Sequence, residues 1–182
     1  MLQLLGLGNY ATQFYLHVLN QMAEEEWGEY ATFPLRLVNV NFQELNPFLP
    51  DQFEKLVPAI RRILTQDEAG ADEWLIPNIT LFETIDRLPA SISSRCIHAV
   101  EETAKYLQDH AVVKIYLFGS LYTMNATYVK GLLEKNKIRV CLPEPDDQQL
   151  LDTLRKEVYA KGKQAEYVVQ WNSLLKNIQN IT

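Results

Sequence analysis

The sequence has little cysteine and no cysteine pair. Cys96 and Cys141 are its two cysteines, and they stand far apart along the chain. Thiolate zinc sites and redox motifs need closely spaced cysteines, and a disulfide framework needs more of them. The sequence therefore indicates no thiolate metal site, no redox motif and no disulfide-stabilised fold.

Positive charge is also scarce. Lys and Arg total 17 against 23 Asp and Glu, the net charge is −6, and the basic residues form no cluster. A protein that binds nucleic acid neutralises successive phosphates with a basic patch, so we expect no nucleic acid among the partners. No apolar run approaches the roughly 20 residues that a bilayer requires, so we expect no membrane association.

The N-terminus lacks the basic start of a secretory signal peptide. The first positive charge is Arg36, and polar residues interrupt the apolar opening of the chain. We therefore predict a cytoplasmic protein. The N-glycosylation patterns at residues 78–80, 125–127 and 180–182 are then chance matches.

Short apolar runs alternate with helical periods along the 182 residues, 47% of which are hydrophobic. This alternation predicts an α/β fold, in which helices cover both faces of a parallel sheet. A chain of this length has room for one core or for two small lobes. The predicted strands are residues 2–7, 35–40, 74–77, 114–118 and 138–142, with a weaker extended piece at residues 95–98.

Polar and proline residues set the expected helix starts. Thr12 is the predicted N-cap of the first helix, and Asp146 or Asp147 is the predicted N-cap of the helix after Pro145. Pro58 falls inside a helical pattern, so that helix either kinks or begins there.

Three predicted strand ends carry glycine or small polar residues. They are residues 6–9, 77–80 and 119–120. Ligands of open parallel sheets bind beyond the carboxyl ends of the strands. We therefore expect any functional site at these three ends.

The second half carries the longest resemblance to a known family. The stretch KIYLFGSLYTMNATYVKGLLEKNKIRVCLPEPDDQQLLDTLRKEVY, residues 114–159, resembles the second-lobe segment of the aspartate/glutamate racemases. In that segment a strand ends in Gly-Thr, a Thr-Met pair starts a helix, and a Val-Pro strand meets an acidic turn. Here Gly119-Ser120, Thr123-Met124 and residues 140–147 occupy those places.

The first half resembles the same family in several shorter motifs. LGLGNYAT is similar to its Gly-Gly-Met-Ser loop, with Gly8 where Ser is usual and Thr12 kept. VNVNFQEL resembles its Ser-Val-Asp-Phe strand, with Asn41 in place of Asp. GADEWLIPNITLF resembles its Gly-Ala-Asp strand, which leads into Pro-Cys-Asn-Thr-x-His, and HAVEET resembles its His-x-x-Asp-x-Thr entry into the second lobe.

The resemblance implies a two-lobed α/β fold with flavodoxin-like lobes, each a parallel sheet flanked by helices. We place the first lobe at residues 1–97 and the second lobe at residues 98–182. The chain does not reach the family's final strand, so we expect a second lobe without its last strand. An unpaired sheet edge and exposed apolar helix faces would follow, and we therefore expect a homo-oligomer, most simply a dimer.

The resemblance also implies the chemistry of the family, which inverts Cα of a small amino acid without a cofactor. Inversion needs an acid–base group on each face of the carbon, and the family uses two cysteines. Asn78 stands at the first of these positions, Phe82 replaces a family His, and the second cysteine belongs to the strand that is not reached. An amide is neither acid nor base. We therefore predict that racemase activity is lost, and we expect no cofactor and no metal.

Binding of a small amino acid or dicarboxylate in the inter-lobe cleft is our first functional hypothesis. Its candidate residues are Gly8, Asn9, Thr12, Asn41, Asn78, Thr80, Ser120 and Thr123. A structural alternative stays open for these residues. Glycines suit a tight turn as well as an anion, and Asn, Ser and Thr are favoured helix caps.

Two other functions also stay open. An active isomerase or lyase would need a different ionisable group, and Glu83, Asp86 and Tyr122 are the first candidates. Alternatively, the chain is a structural subunit that another chain completes.

Overall fold

The computed structural model describes residues 1–66, 73–162 and 165–179. Residues 70–72, which belong to the racemase-like motif GADEWLIPNITLF, lie outside the described residues. The same holds for the glycosylation pattern at residues 180–182.

The chain divides into two compact units, and unit 1 spans Met1–Ala99. Unit 1 contains a parallel sheet in the order β2-β1-β3. The strands are β1 (Leu2–Gly6), β2 (Leu35–Asn39) and β3 (Trp74–Leu75). The central strand β1 is almost entirely buried and is apolar apart from Gln3, as is typical of a parallel strand covered on both faces.

The helices of unit 1 follow the predicted alternation. They are α1 (Asn9–Trp27), α2 (Phe53–Leu64), α3 (Phe82–Ile85) and α4 (Ala90–Ser93), and short 3-10 helices occur at Phe42–Glu44, Asn46–Phe48 and Ile79–Leu81. Helix α2 buries Leu56, Ile60 and Ile63 at helical spacing. Pro58 lies inside α2, so the helix does not begin at the proline.

The extended piece predicted at residues 95–98 is smaller than expected. It forms one parallel bridge, between Trp74 and Cys96. The backbone N–H of Trp74 donates to Arg95 O at 2.8 Å, and the N–H of Ile97 donates to Trp74 O at 2.9 Å. This piece therefore pairs with β3 without becoming a full strand.

Unit 2 spans Val100–Thr182. Its described strands, β4 (Lys114–Tyr116) and β5 (Arg139–Cys141), are parallel. Its helices are α5 (Ala99–Asp109), α6 (Leu121–Asn125), α7 (Thr127–Lys135), α8 (Pro145–Lys161) and α9 (Ala165–Gln179). Met124, Leu151 and Leu174 form a buried cluster that joins α6, α8 and α9.

The predicted cap of α8 is wrong. Glu144 holds the N-cap position, and Pro145 occupies the first turn, where its missing N–H costs no hydrogen bond. Asp146 and Asp147 follow inside the first turn. They stabilise α8 through the positive end of its dipole and not by capping it.

The predicted α/β class, with parallel sheets flanked by helices, is confirmed. Among the described residues, no helix has the length and apolar character to cross a membrane. The absence of a last strand from the second sheet stays a prediction.

Candidate functional site

The candidate residues of unit 1 follow the carboxyl ends of three adjacent parallel strands. Gly8, Asn9 and Thr12 follow β1, Asn41 follows β2, and Asn78 and Thr80 follow β3. The register pairs Gly6 with Asn39, so β1 and β2 end level with each other. The fold therefore places all six residues beyond the carboxyl ends of the strands in the sheet of unit 1.

The turn after β1 depends on the glycine at its start. A Cβ atom on Gly6 would collide with the side chain of Asn39 on the neighbouring strand. Gly8 has no such neighbour, because a Cβ atom added there would point into open space. Gly8 is the N-cap of α1 and has extended backbone that any residue can adopt.

Thr12 lies inside α1, so its predicted role as the N-cap is wrong. Its backbone N–H donates to Gly8 O at 3.0 Å, which closes the first turn of the helix. The side chain is 8% exposed, and its hydroxyl oxygen has no hydrogen-bond partner among the described residues. A buried hydroxyl in this state costs free energy.

Asn9 and Asn41 are exposed, and each is engaged locally. The side-chain oxygen of Asn9 accepts a hydrogen bond from Gln13 on the next turn of α1. The side-chain oxygen of Asn41 caps the turn Phe42–Glu44 by accepting from the N–H of Gln43 at 3.2 Å. For Asn41 the local contact matches the structural alternative.

Asn78 is held by the backbone that follows it. Its Oδ1 accepts hydrogen bonds from the N–H groups of Thr80, at 3.1 Å, and Leu81, at 3.2 Å. These bonds make Asn78 the N-cap of the 3-10 helix Ile79–Leu81. Its own backbone N–H donates to Ile76 O at 2.8 Å. The side chain of Asn78 therefore serves the strand-to-helix junction as a cap.

Phe82, which was predicted to replace a family histidine, has a fully buried ring. Its centroid lies 4.4 Å from that of His98, whose Nε2 lies 3.4 Å from Oδ1 of Asp86. Thus an imidazole is present beside this position, supplied by a different part of the chain.

In unit 2 the turn after β4 is organised around Ser120. Ser120 is the N-cap of α6, and its Oγ accepts from the N–H of Thr123 at 3.1 Å. The two hydroxyls lie 2.9 Å apart. A Cβ atom on Gly119 would come within 2.9 Å of the Thr123 side chain, so glycine permits the close approach of strand and helix.

The alternative acid–base candidates are placed on and near α3 and α6. Glu83 pairs with Arg87 at 3.1 Å, and Asp86 lies beside His98. Tyr122 is half-buried in the first turn of α6. Their catalytic use stays a prediction.

Cys96 pairs with Trp74 at the start of β3, whereas Cys141 is the last residue of β5 and pairs with Tyr116, the last residue of β4. Cys96 is buried, and burial raises its pKa to about 11, although the charge of Arg95 opposes this increase. Cys141 is half-buried within β5. Cys96 therefore remains a protonated thiol at neutral pH. Among the described residues, no group of His, Cys, Asp and Glu side chains could hold a metal ion.

Two polar residues of unit 1 lacked a clear sequence signal for their environment. Asn39 packs against Gly6, and the hydroxyl of Thr84 is fully buried in α3 without a hydrogen-bond partner among the described residues. The Asn39 contact depends on the register of two parallel strands. The polar Thr84 lies between Leu81 and Leu88 in an apolar pattern, which was the one available hint of its burial.

Comparisons with known proteins agree with the fold. No protein-family profile and no curated protein sequence matches the chain. A solved structure of a candidate Asp/Glu racemase from Yersinia pestis matches 98% of this chain and 80% of its own, with 20% identity and a TM-score of 0.81. An aspartate racemase homologue from Pyrococcus horikoshii OT3 matches 89% of this chain and 72% of its own, with 19% identity and a TM-score of 0.72.

A third structure, an aspartate racemase from Picrophilus torridus, matches 99% of this chain and 76% of its own. The identity is 17% and the TM-score is 0.74. Identities this low carry information about the fold and not about the reaction. Together with the parallel sheets described above, they show that this chain has the fold of the aspartate/glutamate racemase homologues.

Proposed function

We propose that the chain is a racemase-like pseudoenzyme that binds a small amino acid or dicarboxylate and does not racemise it. The observation that carries this proposal is the side chain of Asn78. Its oxygen caps the 3-10 helix Ile79–Leu81 at the position that resembles the first catalytic cysteine. We further propose that the protein needs no cofactor, forms a dimer and is located in the cytoplasm.

The loss of activity follows from proton chemistry. Inversion at Cα needs one group that removes a proton and another that returns one, and each must change its protonation state near neutral pH. The amide of Asn78 has no such state. Cys96 is buried with a pKa of about 11, so it does not supply a thiolate in its place.

Retained binding is supported by the start of α1. The backbone N–H groups of the first helical turn are donors without intrahelical acceptors, and they lie at the positive end of a 19-residue helix. This turn contains no acidic residue that would compete for them. The buried hydroxyl of Thr12 belongs to the residue that closes this turn, and a carboxylate suits both kinds of donor.

Proton exchange tests the catalytic part of the proposal. The pure protein is incubated with L-aspartate or L-glutamate in D₂O, and loss of the Cα–H signal is followed by NMR. We expect exchange no faster than in buffer. Exchange above that rate that disappears in Asn78→Ala would overturn the proposal, because Asn78 would then take part in the reaction.

Two matched variants test the binding part. Thr12→Val and Thr84→Val each replace a buried hydroxyl without a described partner by a methyl group of similar size. L-Aspartate and succinate are titrated while backbone amide shifts are recorded. We expect saturable shifts in wild type and Thr84→Val, and binding weakened about tenfold in Thr12→Val, since a hydrogen bond to a charged group contributes ~1.5–3 kcal/mol. Equal affinities in both variants would remove Thr12 from the site.

A further inference from the structure

Three aromatic residues follow one another closely where helix α1 ends. Tyr30 is 92% exposed and Trp27 is 56% exposed. The rings of Trp27 and Phe33 stack with their centroids 5.9 Å apart. The backbone N–H of Phe33 donates to Oδ1 of Asn20 at 3.0 Å, which ties the segment after α1 back to the helix. Trp27, Tyr30 and Phe33 together form the aromatic patch.

Tyr30 has a backbone conformation that favours glycine. The N–H of Ala31 donates to Gly28 O at 3.1 Å, so residues 28–31 form a tight turn with Tyr30 at its third position. Its φ of 68° lies in the left-handed region, which costs free energy for any residue that has a Cβ atom. A ring that is 92% exposed recovers little of this cost by packing within the chain. A contact outside the chain would give the ring a use.

The surroundings of the aromatic patch are acidic. Glu24, Glu25, Glu26 and Glu29 are exposed, in the last turns of α1 and just after it. Residues 1–35 contain no Lys or Arg, and within the described ranges of the chain none of these glutamates takes part in an ion pair. The negative end of the helix dipole adds to their field. A cationic partner therefore complements this surface.

Arginine suits such a surface better than other cations. Its guanidinium group is planar, stacks on the faces of Trp and Tyr rings, and binds a carboxylate through two N–H groups at once. Rings that project from the surface do not enclose a small cation, whereas a peptide segment can lie across several of them. Trp and Tyr are also the residues that most often carry the energy of protein–protein binding.

We propose that the aromatic patch and the four glutamates beside it are a docking surface for an arginine-containing segment of another protein. The patch follows the carboxyl end of α1, while Gly8 and Asn9 stand at its other end. Docking is therefore independent of ligand binding at the strand ends and of catalysis, and its failure would leave the proposed function untouched.

Peptide titration of the full chain tests the docking surface. The probe is an arginine–glycine repeat peptide with blocked ends, compared with the same peptide carrying lysine or glutamate in place of arginine. With backbone amide shifts as the readout, we expect saturable shifts centred on residues 24–33, several-fold weaker binding of the lysine peptide and no binding of the glutamate peptide. Absent shifts, or shifts spread over the acidic residues of both units, would overturn the proposal. Shifts of residues 24–33 on concentrating the protein alone would also overturn it, because they would assign the surface to a second copy.

Matched tyrosine variants separate the aromatic patch from general attraction to acidic residues. Tyr30→Ala should weaken binding of the arginine peptide about tenfold, because a cation–π contact is lost. Tyr106→Ala is the control, since Tyr106 is 62% exposed in unit 2 and lies one helical turn from the exposed Glu102. This control should bind as wild type does. Unchanged binding in Tyr30→Ala, or an equal loss in both variants, would contradict the proposal.

Tyr30→Gly distinguishes a binding role from a structural one. Glycine accepts a φ of 68° without strain, so the urea midpoint should rise while binding of the arginine peptide falls about tenfold. A fall in the midpoint would show that the ring of Tyr30 stabilises the fold of this chain. The proposed use of the ring would then be wrong.

Discussion

The Oδ1 atom of Asn78 accepts a hydrogen bond from the backbone N–H of Thr80 at 3.1 Å. Both residues were candidate ligand contacts, and this bond turns the side chain of one toward the main chain of the other. The oxygen of Asn78 is thereby committed to the turn that leads into α3. A ligand contact from Asn78 would therefore come from its amide nitrogen.

The first prediction concerns the stability that this cap provides. Asn78→Ala removes the acceptor of two N–H groups and should lower the free energy of unfolding by about 1 kcal/mol. Asn78→Asp keeps an acceptor and should stay close to wild type at neutral pH. Urea denaturation measures both variants. Asn41→Ala is the matched control, because the two hydrogen bonds of the Asn41 side chain, from the N–H of Gln43 and to the carboxylate of Glu44, are both exposed, and its loss should be smaller.

Removing the hydroxyl of Thr84 should raise the free energy of unfolding, whereas removing the Asn78 cap should lower it. Its hydroxyl is fully buried and has no hydrogen-bond partner among the described residues. Thr84→Val should raise the free energy of unfolding by about 1 kcal/mol, since the desolvation cost of the hydroxyl disappears while the volume is kept. Thr84→Ser keeps the hydroxyl and loses a buried methyl group, so it should be less stable than wild type. Thermal unfolding that ranks serine above valine would contradict this account.

Replacement of glycine by alanine should have opposite effects on stability at Gly119 and at Gly131. Gly119→Ala should destabilise unit 2 by about 1–3 kcal/mol, because the new methyl group comes within 2.9 Å of Thr123. Gly131 is exposed inside α7, where an added Cβ atom meets nothing. Gly131→Ala should therefore stabilise by about 0.5–1 kcal/mol through helix propensity. Chemical denaturation of the two variants side by side gives the comparison.

The contribution of Asp152 to the stability of the fold should depend on pH. Burial raises the pKa of this carboxyl, but hydrogen bonds and charges from Lys156 and Arg155 outweigh burial and hold the pKa below its ordinary value of 3.8. A lowered pKa means stability that is present above the ordinary value and lost as pH falls through the folded-state pKa. Asp152→Asn should thus be less stable than wild type at pH 7, and the two curves should converge in acid. If the stability-versus-pH curves of wild type and Asp152→Asn stayed parallel down to pH 2, Asp152 would not be the source of the pH dependence.

The two thiols should react at very different rates. Burial raises the pKa of Cys96 to about 11, so little thiolate forms at pH 8 and access to it is poor. A chromogenic disulfide reagent should therefore label native protein mainly at Cys141, which is half-buried. Both thiols should react in denaturant. Fast labelling that persists in Cys141→Ser would place the reactive thiol at Cys96 and contradict the prediction.

Sequence periodicity predicted the elements well and their ends less well. The strand expected at residues 114–118 is β4, which ends at Tyr116, and the strand expected at residues 138–142 is β5. Thr12 failed as a cap because α1 begins three residues earlier, after Gly8. A glycine in extended backbone caps a helix without any side-chain signal, so the sequence favoured the nearest threonine.

The sequence predicted where in the fold the candidate site lies, but it did not predict which atoms its side chains contact. In a parallel sheet the carboxyl ends of all strands lie on the same side, and this places Gly8, Asn41 and Asn78 near one another. Whether an Asn side chain faces a ligand or its own backbone depends on a turn of three residues. The unpartnered hydroxyl of Thr12 depends on the packing around α1, which no local pattern describes.

The central place of β1 has a consequence for synthesis. This strand leaves the ribosome before both of its neighbours, and it pairs with β2 on one side and with β3 on the other. Its second neighbour, Trp74–Leu75, arrives only after most of unit 1 has been made. The nascent chain must therefore carry β1 with one side unpaired until Trp74–Leu75 has been made, and non-local pairing of this kind slows folding. Among the strands of unit 1, shielding by a chaperone would therefore matter most for β1.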